Sequence, residues 1–203
     1  VTTGLIFDEA RHAYTLDGSP VPGVSTILKA VSTGAYAGVD PEVMARAAAL
    51  GTAAHKVIEL DVRAVLDEDS LDPQLVPYLV QWRGFLQQSG FQPLVSEHRV
   101  ASRRYGFAGT LDLFGVLNGR KALIDAKRVA QVMPATGPQT AGYETALREW
   151  SPELVGMDEP VDRFALQLVP SGTWRLHPLK DRTDARTFLA ALTVHNFNAR
   201  NYK

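Results

Sequence analysis

The chain has 203 residues, 45% of them hydrophobic and 21% charged, with no cysteine and a formal net charge of −1. That composition suits one globular core and excludes disulfides, thiolate zinc sites and iron–sulfur clusters. No apolar run approaches the roughly 18 residues of a membrane span. Val1-Thr2-Thr3-Gly4 lacks the basic-then-apolar opening of a signal peptide, so a cytoplasmic protein without membrane contact is expected.

The opening predicts two short strands, Leu5-Ile6-Phe7 and His12 to Leu16, the second ending in the turn Asp17-Gly18. Pro20, Pro22 and Gly23 break the chain, and Ser25 or Thr26 is expected to cap a short helix through Val31. Asp40-Pro41-Glu42 marks a strong helix start: a capping acid, proline at the first helical position, and a glutamate in the electropositive first turn. Ala49, Ala53, Val57, Leu60 and Ala64 carry the helical pattern to the neighbourhood of Leu66. Asp72-Pro73 opens a second helix, with Leu75, Leu79, Trp82, Phe85 and Leu86 at helical spacing before Ser89-Gly90. Trp82 and Phe85 are expected in the core rather than as base-stacking platforms.

The period then changes. Val95 to Ala101, Gly106 to Leu117 and Lys121 to Lys127 predict three strands, the last two joined by an Asn118-Gly119 hairpin turn. Pro138 begins a helix through Trp150, followed by a loop rich in Pro, Glu and Gly. Phe164 to Val169 and Thr173 to Leu176 flank Pro170-Ser171-Gly172 as a hairpin. A final helix, Thr183 to Asn198, presents Phe188, Leu192 and His195 on one side. This order predicts a single α/β domain over 1–203, with strands and a short helix in 1–39, the core in 40–150, and a hairpin and helix in 151–203.

Charge is unevenly placed. Residues 40–80 hold three basic residues against eight acids, and residues 97–148 hold eight against four. Because screening confines fields to about 10 Å, a local basic surface can bind phosphate on a chain that is nearly neutral.

Two acids occupy apolar strands: Asp112 in Gly109-Thr110-Leu111-Asp112-Leu113-Phe114, and Asp125 in Ala122-Leu123-Ile124-Asp125-Ala126-Lys127. Burying unpaired carboxylates is costly, and two adjacent anions repel unless a cation lies between them. A hard divalent ion with oxygen ligands is the natural cation. Lys127 follows Asp125 by two residues, so on a strand the two share a face, and its ammonium can orient water and stabilise charge on phosphate. An ordinary same-face ion pair is the bland alternative for Asp125 and Lys127.

The pattern Gly109-x-x-Asp112 followed by Asp125-x-Lys127 resembles the core of the PD-(D/E)XK nucleases, in their RecB-like and lambda-exonuclease-like branch. Two further strings are similar to that branch: Gly51-Thr52-Ala53-Ala54-His55-Lys56-Val57-Ile58-Glu59 on the preceding helix, and Gln139-x-x-x-Tyr143 on the following one. The motifs span residues 51–143. Tyr14-x-Leu16-Asp17-Gly18 and the Gln167-Leu168 hairpin look, more weakly, like phage-borne members.

The resemblance implies a restriction-endonuclease-like core, a mixed central sheet flanked by helices, with an added C-terminal hairpin and helix. It also implies that His55, Asp112, Asp125 and the Ala126 carbonyl hold one or two Mg²⁺ or Mn²⁺ ions. Lys127 would position the attacking water, and Gln139 and Tyr143 would support Lys127 or the substrate. Glu97 resembles an acid that joins the metal site in some members. Arg103, Arg104, Arg128 and Tyr105 are the candidate DNA contacts; solvated residues near a loop are the alternative for Arg103 and Arg104, and core packing is the favoured reading of Tyr105 and Phe107 over base stacking.

The expected activity is phosphodiester hydrolysis on linear DNA from a free end, in phage-type recombination, repair or processing within a bacterial or phage-infected cell. A separate annealing protein or helicase is an expected partner, and homo-oligomers occur in the branch. Two alternatives stay open: a catalytically silent module that binds DNA ends or a protein, and an enzyme acting on RNA or a small phosphate ester.

Overall fold

The structure is a computed structural model and describes residues 4–31, 38, 40–169 and 172–202. Expectations resting on Val1 to Thr3, on the remainder of the 32–39 segment, and on Pro170-Ser171 of the late turn lie outside those residues.

The first strands, β1 (Leu5–Asp8) and β2 (Ala13–Leu16), pair antiparallel, and a third, β3 (Ser19–Val21), joins them. The Asp17-Gly18 turn therefore closes a hairpin, with both residues in the left-handed region at φ 50° and 84°. Pro20 hides β3 in the sequence, because proline donates no ladder hydrogen bond and is tolerated only at an edge, where β3 lies. Helix α1 (Val24–Leu28) starts from Gly23 without a side-chain cap, so neither Ser25 nor Thr26 caps it, and it ends short of Val31.

Helix α2 (Pro41–Val62) begins as its capping signal predicts, the Asp40 carboxylate accepting from the N–H groups of Glu42 and Val43. It stops before Leu66 because Ala64 adopts φ 55°, and the Val65 N–H then closes on the Leu60 carbonyl. Helix α3 (Val76–Ser89) starts later than Asp72-Pro73, since the Asp72 carboxylate and carbonyl form a turn with the Gln74 and Leu75 N–H groups. Gly90, left-handed at φ 67°, ends it.

Strands β4 (Gln92–Ser102), β5 (Phe107–Leu117), β6 (Arg120–Lys127), β7 (Val161–Leu168) and β8 (Trp174–Pro178) form the main sheet in that order. All neighbours are antiparallel except β6 and β7, which run parallel. A parallel pair needs a long crossover. Helix α4 (Thr136–Trp150) and α5 (Pro152–Val155) occupy it. Helix α4 begins two residues before Pro138, which sits in the first turn where a missing N–H is harmless.

Helices cover both faces of this mixed sheet. From α2 and α3, Val57, Ile58, Trp82 and Phe85 pack on Leu113, Ile124 and Leu166. On the other face, α1, α4 and α6 (Asp184–Asn201) set Ile27, Leu147 and Phe188 against Phe107, Leu111 and Leu123. Trp82 and Phe85 are fully buried, as their spacing predicts. The small sheet lays Tyr14 and Leu16 over Ala101 and Ala108 at the end of the β4–β5 hairpin. Among the described residues no helix is long and apolar enough to cross a membrane.

The α4–α6 contact depends on Gly142, where an added Cβ would stand 2.7 Å from the Phe188 ring. Gly142→Ala is expected to destabilise the fold by about 1–3 kcal/mol through overpacking. A urea unfolding midpoint equal to that of the wild type would contradict this.

Candidate metal centre

The alternation of β5 slips at Asp112. Phe107 and Leu111 pack on the α4–α6 side and Leu113 on the α2–α3 side, although residues 111 and 113 of a regular strand share a face. In β4 the matching irregularity is Glu97, held at φ 47° between the pairs Ser96–Leu113 and His98–Leu111. Glu97 is thereby brought opposite Asp112. A non-glycine residue kept in this region inside a strand is costly, and such positions concentrate at functional sites.

The β5–β6 ladder also ends here, with Leu113–Ile124. Beyond it the Asp112 carboxylate replaces the backbone partner, its Oδ2 accepting the Ala126 N–H at 2.7 Å. The strands thus part around a carboxylate.

Helix α2 crosses this opening and contributes His55. Its Nδ1 lies 3.4 Å from Asp112 Oδ1 and 3.4 Å from Glu97 Oε1. One ligand atom from each of His55, Glu97 and Asp112 lies within 4.8 Å of the other two, the spacing of groups that can share one ion. Ala126 lines the same recess, with Ser96, Ile58 and Glu59. Backbone N–H and C=O groups of one strand residue point to the same side, so the Ala126 carbonyl is directed to the β5 side, as its N–H is. His55 and Glu97 each keep 28% of the side chain exposed and Asp112 12%, so the cluster is open to solvent from one side.

Asp125 is not a member of that mutually close group. Ile124 and Ala126 face α2 and α3, so Asp125 and Lys127 project toward α4. Asp125 is 1% exposed, and Lys127 Nζ lies 2.8 Å from its Oδ2. Apart from that ion pair, neither Asp125 oxygen has a hydrogen-bond partner among the described residues. Lys127 Nζ donates to Gln139 Oε1 at 3.2 Å, and Gln139 Nε2 donates to the Tyr143 hydroxyl at 3.3 Å. The expected carboxylate pair is therefore two adjoining half-sites. One holds His55, Glu97 and Asp112; the other holds Asp125, Lys127, Gln139 and Tyr143. Asp112 at the strand opening lies between them.

The electrostatics follow the geometry. The Asp112 charge, with hydrogen bonds to Asp112 and Glu97, holds the His55 imidazole well above its usual pKa despite burial. Burial raises Glu97, and the Asp112 and Glu59 charges add to this against the pull of His55. Burial also opposes ionisation of Asp112, but His55, Lys127 and the Ala126 N–H outweigh it and leave this carboxyl below its usual value. Burial pushes Asp125 up to about 6, with Lys127 opposing and Asp112 adding. Burial, then the Asp112 and Asp125 charges, raise Tyr143. Without a metal, a protonated histidine bridges carboxylates that repel one another, an arrangement that a divalent cation can replace.

The donor set, one imidazole with carboxylate oxygens, fits a divalent metal ion. His55, Glu97, Asp112 and the Ala126 carbonyl would hold the ion, with Asp125 adjoining.

The structure does not bring all the candidate DNA contacts here. Arg103, Arg104 and Tyr105 lie at the tip of the β4–β5 hairpin, roughly 20 Å from Glu97 at about 3.3 Å per residue. Arg103 is paired with Asp17 at 2.7 Å and stacked on Trp150, and Arg104 lies over the Tyr105 ring. Arg128, next to Lys127, is close by and donates to the Tyr78 hydroxyl at 2.9 Å.

Three supporting residues carried no expected role. Glu59, the last residue of the Gly51–Glu59 string, is buried beside the recess and ion-paired with Lys56 and Arg63 at 2.8 and 2.9 Å. Gln167, paired with Lys127 across β6 and β7, donates to the Val129 and Ala130 carbonyls and so fixes the segment after the lysine. Arg163 binds Asp184 at 3.0 Å and the Gly137 carbonyl at 2.8 Å, locking α4 against β7 and α6. The weak Gln167-Leu168 resemblance touched Gln167 without giving it a role, and nothing in the sequence marks Arg163.

No family model matches the chain, and no curated protein matches it.

Titrating Mn²⁺ into metal-free protein at neutral pH is expected to release a proton from His55, so affinity should rise with pH up to the raised histidine pKa. His55→Ala should abolish the release, and Glu97→Gln or Asp112→Asn should weaken Mn²⁺ binding by more than about tenfold. Calorimetry in buffers of different ionisation enthalpy measures both. Unchanged affinity in all three variants would remove the cluster as an ion site.

Proposed function

We propose that the chain is a metal-dependent deoxyribonuclease of the PD-(D/E)XK type, hydrolysing phosphodiester bonds and acting as an exonuclease on linear DNA with a free end. The supporting observation is the convergence of His55, Glu97 and Asp112 around one recess, with the Asp125–Lys127 pair alongside. A mixed five-stranded sheet with helices on both faces is compatible with a restriction-endonuclease-like core.

A bound Mg²⁺ or Mn²⁺ would supply Lewis acidity toward the scissile phosphate and lower the pKa of water. The chain's own groups do the rest. The Lys127 ammonium, held between Asp125 and Gln139, would orient the attacking water and stabilise negative charge added to the phosphate. Tyr143 anchors Gln139, and Gly109 lets the ring approach, since an added Cβ there would stand 2.6 Å from it. Arg163 positions α4, which carries both residues, by donating to the Gly137 carbonyl. The proposal places the protein in a bacterial or phage-infected cytoplasm, with an annealing protein or helicase as a separate partner.

The test is a time course on linear DNA labelled at either end, beside a closed circle, with Mg²⁺ or Mn²⁺. The proposal expects shortening from the ends, an intact circle, no cleavage in chelator, and a loss of about 100-fold or more in Lys127→Met. Binding of DNA ends without cleavage under any metal condition would instead identify a silent binding module. Digestion confined to RNA would move the substrate class.

A further inference from the structure

Strand β6 is clamped from both sides where it leaves the sheet. On the β5 side the Asp112 carboxylate accepts the Ala126 N–H. On the β7 side the last rung of the parallel ladder pairs Lys127 with Gln167. Beyond that rung the chain follows no helix or strand until Thr136, so the Val129 and Ala130 carbonyls have left the ladder. The Gln167 side chain takes its place, Nε2 donating to the Val129 carbonyl at 2.9 Å and to the Ala130 carbonyl at 2.7 Å. Lys127 thus stands between two anchored points, one residue after the Asp112 bond and two residues before the first of the Gln167 bonds.

Those two bonds fix the amide. Both of its hydrogens go to carbonyls, and if it were turned round its oxygen would face two further acceptors. Oε1 therefore points the other way, to Nε2 of His177 at 2.9 Å. An amide oxygen only accepts, so this ring nitrogen carries a proton and donates. His177 lies on β8 opposite Ala165, and its neighbour Leu176 faces α2 and α3. That leaves His177 on the same face of the sheet as Gln167, Lys127 and Asp125. The small Ala165 side chain lets the ring reach diagonally to Gln167. Gln167 is buried, so removing the imidazole leaves its oxygen without a partner and its amide free to turn away from the two carbonyls.

We propose that His177 is a positioning residue of the candidate centre, acting through Gln167 on the backbone that follows Lys127 and so on the placement of the Lys127 ammonium. This rests on the nuclease reading and deepens it by adding β8, the strand of the main sheet farthest from Asp112 on that side, to the parts that hold the site. A histidine that only tied β8 to β7 would affect stability and leave turnover alone. Action through Gln167 affects turnover at unchanged substrate affinity, because moving a reacting group by about 1 Å can cost on the order of 100-fold in rate. It also tolerates any side chain that presents an N–H to the same oxygen.

Steady-state cleavage of linear DNA with Mn²⁺ by wild type, His177→Ala and His177→Gln, beside ¹⁵N NMR of the same proteins, tests this. His177→Ala should lower kcat about tenfold, with KM and Mn²⁺ affinity within about twofold of wild type. Its melting temperature should fall by no more than about 4 °C, the cost of one hydrogen bond. His177→Gln, whose Nε2 can donate to the same oxygen, should recover most of the lost kcat. In wild type the neutral imidazole should carry its proton on Nε2. The Ala130 and Gln131 amides, which share peptide groups with the bonded carbonyls, should shift in His177→Ala and return in His177→Gln. A kcat in His177→Ala within twofold of wild type overturns the proposal, as does a loss that His177→Gln leaves unrepaired or a proton found on Nδ1. Failure of the nuclease reading shows separately, as absent metal-dependent cleavage by wild type. The amide shifts then decide on His177 alone, unmoved signals overturning its role and moved, restorable ones supporting it.

Discussion

The hydrogen bond from the Ala126 N–H to the Asp112 carboxylate is the contact on which the whole site depends. Two antiparallel strands ordinarily close their ladder with backbone carbonyls. Here β5 and β6 part after Leu113 and Ile124, and a side chain takes over the role of the missing carbonyl. That exchange leaves one Asp112 oxygen committed to the backbone and turns the other toward His55 and Glu97. It also leaves the Ala126 carbonyl on the open side of β6, where a ladder partner would otherwise occupy it. The site is thus made from an interruption of the sheet, and its polar groups are the ones that the interruption frees.

Such an opening carries an electrostatic cost. Three carboxylates, Glu97, Asp112 and Asp125, are drawn out of water within mutual influence, which raises Glu97 and Asp125 above their ordinary range. The fold offsets part of this with two cations of its own, a protonated His55 on one side and Lys127 on the other. Among the described residues, Asp125 has no hydrogen-bond partner beyond the Lys127 ion pair. Surrounding structure supplies the stiffness that keeps the groups apart yet convergent: α2 capped by Asp40, α4 clamped by Arg163, and the segment after Lys127 tied down by Gln167. A preorganised, strained cluster in a rigid frame is what tight coordination of a small hard ion requires.

Much of this was legible where a single residue type dictates the backbone. Asp40-Pro41-Glu42 set the start of α2, Asn118-Gly119 the β5–β6 hairpin, and Ser89-Gly90 the end of α3, each for a local reason that tertiary packing had no cause to override. Asp125 and Lys127 fell on one face, as strand alternation requires. Misreadings arose where the chain breaks a local rule. Ala64 ends α2 in a conformation usually given to glycine, and Pro20 sits inside an edge strand. The slip at Asp112 and the left-handed Glu97 have no residue-level signal, although the family resemblance had already put His55, Asp112 and Asp125, with Glu97 as a further acid, around one ion. The basic residues were only partly informative. Arg103 serves to bind Asp17 and Trp150 at a distant hairpin tip, whereas Arg128 stands beside the centre, and charge alone could not separate the two.

The claim that the opened sheet holds a divalent ion is tested most directly by anomalous X-ray diffraction from crystals soaked in Mn²⁺. The account requires an anomalous peak in the recess, within coordination distance of His55, Glu97, Asp112 and the Ala126 carbonyl, about 2.0–2.3 Å for such ligands. A peak elsewhere on the surface, or none at an ion concentration that saturates other sites, would contradict it.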